Sequence, residues 1–212
     1  MEASFWHNKW ESNQIGFHEN TTNPGLLRHF DKLGLSGGSR IFVPLCGKTL
    51  DIHWLLARNF KVVGAELSEI AVKQLFEELN ILPMVEDTGN GKVYTAQGIQ
   101  VFVGDIFNLD STRVGRIDGI YDRAALVALP EEIRGKYTAH LRALSDTAPQ
   151  LLITFDYDPD TMDGPPFSVT KTEVESHYAA HYTLTQVQDS ELEGGLKGWC
   201  PARVNIWTLI PA

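Results

Sequence analysis

The sequence predicts an α/β protein built on a mostly parallel, doubly wound sheet that ends in an antiparallel pair. Three observations carry that reading. Short apolar runs alternate with amphipathic helical segments through most of the chain. No linker rich in Ser, Gly or Pro and no internal repeat divides it, so a single domain over residues 1–212 is expected. Near the carboxyl end, two strand-like runs follow one another with no helix between them.

Taken in order, the chain opens with Phe5, Trp6, Trp10, Ile15 and Phe17, too many large apolar groups for a free tail. Asn23 and Pro24 read as an N-cap and first helical residue, and Gly34 as a helix stop, giving a helix over Pro24–Leu33. The first strand is Arg40–Leu45, followed by a helix over Thr49–Asn59 with Leu50, Trp54 and Ala57 on one face. Lys61–Glu66 is the second strand, and Ser68 caps a helix carrying Ile70, Leu75 and Leu79. Lys92–Ala96 and Ile99–Gly104 read as a hairpin turning at Gln97-Gly98. Ile117–Asp122 leads to a helix over Glu131–Leu144, and Gln150–Phe155 to a helix over Lys171–Ala180. Tyr182–Gln188 and Arg203–Ile210 form the terminal pair.

Composition excludes several classes of partner. The chain carries 18 Lys and Arg against 27 Asp and Glu, a net charge of −9, so a phosphate backbone is not its expected ligand and no nucleic-acid partner is expected. Its length suffices to bury roughly 70% of the unfolded surface without disulfides or a structural metal. Cys46 and Cys200 lie far apart, outside any CxxC or Cys/His spacing, and read as buried free thiols. No basic-then-apolar leader opens the sequence, and no apolar stretch approaches the roughly 18 residues of a membrane span. The expected setting is cytoplasmic, with no membrane partner. With no long apolar stripe left over once the sheet and its helices are covered, a monomer is expected.

In open sheets of this kind, ligands sit at the carboxyl ends of the strands. The first strand ends in Pro44-Leu45-Cys46-Gly47-Lys48, where Gly47 permits a tight turn. The G-x-G-x-x-G dinucleotide fingerprint is absent, which argues against a dehydrogenase. A phosphate loop would need glycine at Phe42, so the site suits a ligand without a pyrophosphate. Glu66 stands where a carboxylate can accept both hydrogen bonds of a ribose diol, or can simply favour the following helix dipole. Asp105 can accept from a purine amine or cap Asn108 or Leu109. Asp122-Arg123 marks either a polar ligand or a surface salt bridge. Glu66, Asp105 and Asp122 together favour a cationic or amine-rich nucleoside. Trp6 is expected to pack on the sheet, while Trp10 and Phe17 suit a lid whose ring faces attract a cation. The seven histidines form no metal pattern, His177 and His181 at i, i+4 lacking further ligands, and no Gly-x-Ser-x-Gly elbow supports serine hydrolysis.

Longer motifs gather these positions. Trp-Xaa5-Gly-Phe-His over Trp10–His18, Phe42-Val-Pro-Leu-Cys-Gly-Lys48, Val62-Val-Gly-Ala-Glu-Leu-Ser68, Asp122-Arg-Ala-Ala-Leu-Val127 and Tyr157-Asp-Pro with Gly164-Pro-Pro-Phe167 resemble the thiopurine S-methyltransferases, the bacterial ones above all. The resemblance runs over essentially the whole chain. It implies a single-domain, seven-stranded class I methyltransferase fold, Rossmann-like, with a mostly parallel sheet, a terminal antiparallel pair and an N-terminal helical lid over residues 1–34. It implies S-adenosyl-L-methionine as cofactor, contacted by Trp10, Leu45, Glu66 and Arg123, with Glu66 on the ribose and Asp105 and Ile106 beside the adenine. Phe17 would lie at the acceptor pocket, and Arg123 would favour an anionic acceptor by charge.

The implied activity is methyl transfer to the sulfur of thiopurines or other aromatic or heterocyclic thiols by in-line displacement, with no protein nucleophile, no metal and no catalytic residue assigned. Animal members of the family carry an arginine near the C-terminus where alignment through Trp199 places Gly195 here. Two alternatives stand beside the thiol reading. One is methylation of selenium or tellurium compounds, with which bacterial relatives are associated in metalloid resistance. The other is a non-catalytic module that binds a purine or metalloid.

Overall fold

Successive side chains of a strand point to opposite faces of its sheet, and here both faces are covered. In β1 (Arg40–Pro44), Ile41 and Val43 face one core and Phe42 the other; in β2 (Lys61–Glu66), Val62 and Val63 divide the same way. This explains why the central strands read as continuous apolar runs without alternation. The computed structural model describes residues 3–89 and 91–212.

The remaining strands are β3 (Met84–Asp87), β4 (Lys92–Ala96), β5 (Ile99–Val103), β6 (Gly119–Arg123), β7 (Gln150–Asp156), β8 (Tyr182–Glu191) and β9 (Arg203–Pro211). They form one sheet in the order β3-β4-β5-β2-β1-β6-β7-β9-β8. The five central strands, β5 to β7, run parallel, and the expected terminal pair β8–β9 is antiparallel, with β9 also antiparallel to β7.

The sheet has nine strands rather than the seven implied by resemblance. The predicted hairpin β4–β5 extends the other edge, and β3 is added beyond it. All four residues of β3 are exposed, so the strand carries no burial pattern from which it could be read.

One face is covered by α2 (Pro24–His29), α3 (Asp51–Ala57) and α4 (Glu69–Glu78), and the other by α5 (Ser111–Val114), α6 (Glu131–Ser145) and α7 (Lys171–Tyr178). Asn23 caps α2 by accepting the Gly25 N–H at 2.8 Å. The helix expected through Leu33 ends as α-helix at His29 and tightens into a 3-10 turn over Phe30–Leu33, stopped by Gly34 at φ 68°. In α3 the buried apolar positions are Ile52 and Leu55 rather than Leu50, Trp54 and Ala57. Ser68 caps α4 as expected, accepting from Ala71 N–H at 3.4 Å.

The expected lid region divides in two. Leu26, Phe30 and Leu33 are core residues, whereas α1 (Ala3–Glu11) and the loop after it lie over the strand ends with only Trp10 buried in the helix. Met1 and Glu2 lie outside the described residues.

β1 is flanked by β2 and β6: the chain leaves β1 for β2 and β5 on one side, then crosses to β6 and β7 on the other. This reversal opens a crevice at the carboxyl ends of β1 and β6, the place where sheets of this class hold ligands.

Candidate functional site

Both strands flanking the crevice leave it through a left-handed residue that is not glycine. Leu45 follows β1 at φ 46°, and Ala124 follows β6 at φ 62°. Such residues cost on the order of 1–3 kcal/mol and persist where surrounding structure holds them. At Leu45 the holding contacts are visible: Cys46 N–H bonds to Ala65 O at 3.0 Å, and the Leu45 side chain packs on one core.

Gly47 completes this turn at φ 51°, and a Cβ there would stand 3.1 Å from Trp10 Cζ2. Trp10 thus packs against the turn, 5% exposed, with Phe17 edge-on to it at 5.6 Å. Trp6 does not pack on the sheet as expected; it is half-buried, and its ring meets Phe5 and Phe17. Phe17 sits between the two indoles and is 38% exposed, an apolar surface presented at the mouth of the crevice.

Glu66 closes β2 and is buried. Its Oε2 accepts the Gly47 N–H at 2.7 Å and its Oε1 the Ser68 N–H at 2.8 Å, so one carboxylate clamps the turns after β1 and β2 together. Burial raises its carboxyl above the ordinary carboxylate range, against which the N–H groups of Ser68, Gly47 and Leu67 pull it down. A carboxylate offers about four acceptor positions, so capacity remains beyond the N–H groups of Gly47, Ser68 and Leu67.

Asp105 follows β5, exposed, and its Oδ1 accepts Phe107 N–H at 3.0 Å, capping a 3-10 turn rather than bonding Asn108 or Leu109. Ile106 beside it is buried, its carbonyl held by His140 Nε2 at 2.8 Å.

Asp122 does not join Glu66 and Asp105 in the crevice. Its carboxylate is fully buried beneath α6, accepting Tyr137 OH at 2.8 Å and Leu126 N–H at 3.1 Å. Burial lifts its carboxyl to about 6. The strand pleat explains the miss: Asp122 and Arg123 are neighbours and must point to opposite faces.

Arg123 points into the crevice, where it is already paired. Nη2 meets Glu19 Oε1 at 2.5 Å, and Nη1 lies 3.8 Å from Asp51 Oδ2 and 3.5 Å from Thr49 Oγ1. Asp51 is 1% exposed and fully engaged: Oδ1 accepts Asn23 N–H at 2.7 Å and Oδ2 accepts Tyr121 OH at 2.9 Å. Sequence reasoning missed Glu19, Thr49, Asp51 and Tyr121. The available signal was an aspartate in the first turn of a helix that follows the Gly47 turn.

The loop after β7 and the connection between β8 and β9 wall the far side. Residues 157–162 and 192–202 share a small apolar cluster of Tyr157, Met162, Leu196, Cys200 and Ala202. Arg134, buried in α6, ties down the segment leading into α7 through Ser168 O and the Glu173 carboxylate of α7. At Gly195, φ is 74° and a Cβ would lie 2.7 Å from Cys200 O, so no arginine fits there without rebuilding the loop. Cys46 and Cys200 are both free and buried, as expected. Among the described residues, no helix is long and apolar enough to cross a membrane.

A family model described as Thiopurine S-methyltransferase (TPMT) matches residues 1–197. A protein of Xanthobacter autotrophicus named Thiopurine S-methyltransferase is 49% identical over 210 residues, covering 99% of each chain. One of the same name from Teredinibacter turnerae is 51% identical over 209 residues, covering 99% of this chain and 97% of that protein. Among solved structures, a 1,6-didemethyltoxoflavin-N1-methyltransferase from Burkholderia thailandensis, with bound S-adenosylhomocysteine, superposes with a TM-score of 0.67 at 17% identity, covering 98% of this chain and 87% of that one. A SAM-dependent methyltransferase from Anabaena variabilis gives a TM-score of 0.66 at 14% identity, covering 99% and 95%.

Proposed function

The chain belongs to the thiopurine S-methyltransferase family, and from that premise we propose that it transfers a methyl group from S-adenosyl-L-methionine to the sulfur of a thiopurine or similar heteroaromatic thiol. The observation that carries this reading is the clamp at the switch point: Glu66 holding the Gly47 turn, beneath Trp10 and across from Arg123.

The residues present fit the cofactor's separate parts. The turn at Gly47 has no Cβ, which leaves its backbone open to close approach. Glu66 retains acceptor capacity for a ribose diol. Arg123 is the cation at the β6 end, suited to the carboxylate of an amino-acid group, and Asp105 with Ile106 lies at the β5 end, where an adenine would rest. Trp10 and Phe17 supply aromatic surface next to a sulfonium.

When bound, the cofactor supplies an electrophilic methyl group. This chain's own work is to orient and to exclude water, by the lid segment from α1 through Glu19, the loop after β7 and the connection between β8 and β9. With Arg123 held by Glu19 and Asp51, the acceptor is recognised chiefly by apolar and aromatic surface, Phe17 foremost. The lack of an arginine at Gly195 points the same way, toward acceptors that bind through a flat ring.

The test is an incubation with methyl-labelled S-adenosylmethionine and a panel of 6-mercaptopurine, thiophenols, selenite and tellurite. Label in the thiols at rates well above those in the oxyanions is the expected result. Label only in selenium or tellurium products would replace the acceptor. Tight cofactor binding without transfer to any acceptor would leave a binding module.

A further inference from the structure

His18 stands in the lid between Phe17, at the crevice mouth, and Glu19, the partner of Arg123. Its imidazole is half-buried and makes no hydrogen bond to any described residue. Among the other part-buried histidines, His29 bonds Gln188, His140 Ile106 O and His177 Glu173, whereas His53 leaves Nε2 buried without a partner on α3, away from the lid. The charged groups around His18 come from every element nearby. They are Lys48 in the turn after β1, Glu78 on α4, Arg123 at the end of β6, and Glu19 on its own segment. Phe17 on Trp10 and Glu19 on Arg123 fix the chain on either side of His18, which places the residue beside the switch-point crevice.

Burial first, then Lys48, lowers the imidazole's proton affinity, with Arg123 acting in the same direction and Glu78 and Glu19 opposing. A neutral, unpartnered imidazole at neutral pH is a base with a free lone pair.

We propose that His18 accepts the proton of the acceptor thiol. This rests on the reading of the site as an S-methyltransferase and adds a catalytic residue to it. The acceptor's S–H bond breaks and its proton moves to a ring nitrogen of His18. The sulfur lone pair then forms the S–CH3 bond as the sulfonium C–S bond breaks and its electron pair stays on the departing thioether sulfur. The imidazolium returns its proton to water. Arg123, being paired, is left to position the lid and cofactor rather than to ionise the acceptor.

The test compares two acceptors at pH 7.5: benzyl thiol, which is largely protonated there, and 4-nitrothiophenol, which is already a thiolate. His18→Asn and His18→Gln are expected to lower kcat for benzyl thiol by about 100-fold or more while changing 4-nitrothiophenol by about threefold or less. Added imidazole is expected to restore benzyl thiol turnover to His18→Ala. Equal losses with both acceptors, or no loss with either, would overturn the proposal, since a merely structural histidine does not distinguish acceptors by their ionisation.

A second readout does not depend on turnover. Nitrogen-15 NMR of the His18 ring in cofactor-free protein should shift on adding benzyl thiol, and an unmoved ring signal contradicts the assignment. If wild-type protein methylates neither these thiols nor 6-mercaptopurine, the S-methyltransferase reading fails, while the ring signal still reports whether His18 meets a thiol.

Discussion

Glu66 Oε2 accepts the backbone N–H of Gly47 at 2.7 Å, joining the turn after β1 to the end of β2 across nineteen residues of sequence. The same carboxylate holds Ser68 N–H at 2.8 Å, so the floor of the crevice is one charged group spanning two turns. Glu66→Gln keeps the size but replaces one acceptor oxygen with a donor, which faces an N–H in either orientation. We expect a loss of about 1–3 kcal/mol in stability. Cofactor affinity should fall about tenfold or more, measured by urea unfolding and calorimetry with S-adenosylhomocysteine.

Gly47→Ala tests the close approach at the same turn. The new Cβ needs a left-handed backbone and meets Trp10 Cζ2 at 3.1 Å, so either the turn or the indole must shift. The backbone penalty alone is about 1–2 kcal/mol. A lowered thermal midpoint together with weaker cofactor binding is expected; unchanged binding would mean that the turn does not touch the cofactor.

Arg123 and Asp51 should be coupled. Arg123→Gln leaves Asp51, 1% exposed, without its nearest cation, and we expect a loss of about 1–3 kcal/mol. Asp51→Asn in the same chain should recover part of that loss, because the neutral amide no longer needs the guanidinium. Urea unfolding of the two single variants and the double variant measures the coupling directly. Strict additivity would dissolve the network.

Asp122 gives a pH signature unrelated to the crevice. Its carboxyl is raised from 3.8 to about 6 by burial. The folded state therefore holds a proton that the unfolded state has released across that interval. The contribution is fully present below 3.8 and is lost as pH rises through about 6. The shift corresponds to on the order of 3 kcal/mol. Asp122→Asn should remove this fall, seen as a smaller difference between unfolding free energies at pH 4.5 and pH 7.

Much of this was legible from residue patterns. β2 and the start of α6 fall at the predicted residues, because Lys61–Glu66 is a bounded apolar run and Glu131 follows a proline. Ser68 and Asn23 were readable as caps from side-chain chemistry alone. What was not legible depends on partners distant in sequence. Four exposed residues at a sheet edge give β3 no period. Asp122 reads as a strand-end charge until the pleat turns it beneath Tyr137. The Arg123, Glu19 and Asp51 cluster joins three segments whose meeting no local spacing encodes. Trp10 and Trp6 share a helix face, yet only the packing against Gly47 tells which is buried.

The central claim is methyl transfer from a cofactor seated on the Glu66–Gly47 clamp, and carbon-13 NMR of methyl-labelled S-adenosylmethionine mixed with 6-mercaptopurine tests it most directly. With wild-type protein the sulfonium methyl resonance is expected to decay into an S-methyl thioether of the purine, and to do so about tenfold or more slowly with Glu66→Gln at subsaturating cofactor. A sulfonium resonance that persists with wild-type protein, or conversion at the same rate in both, would contradict it.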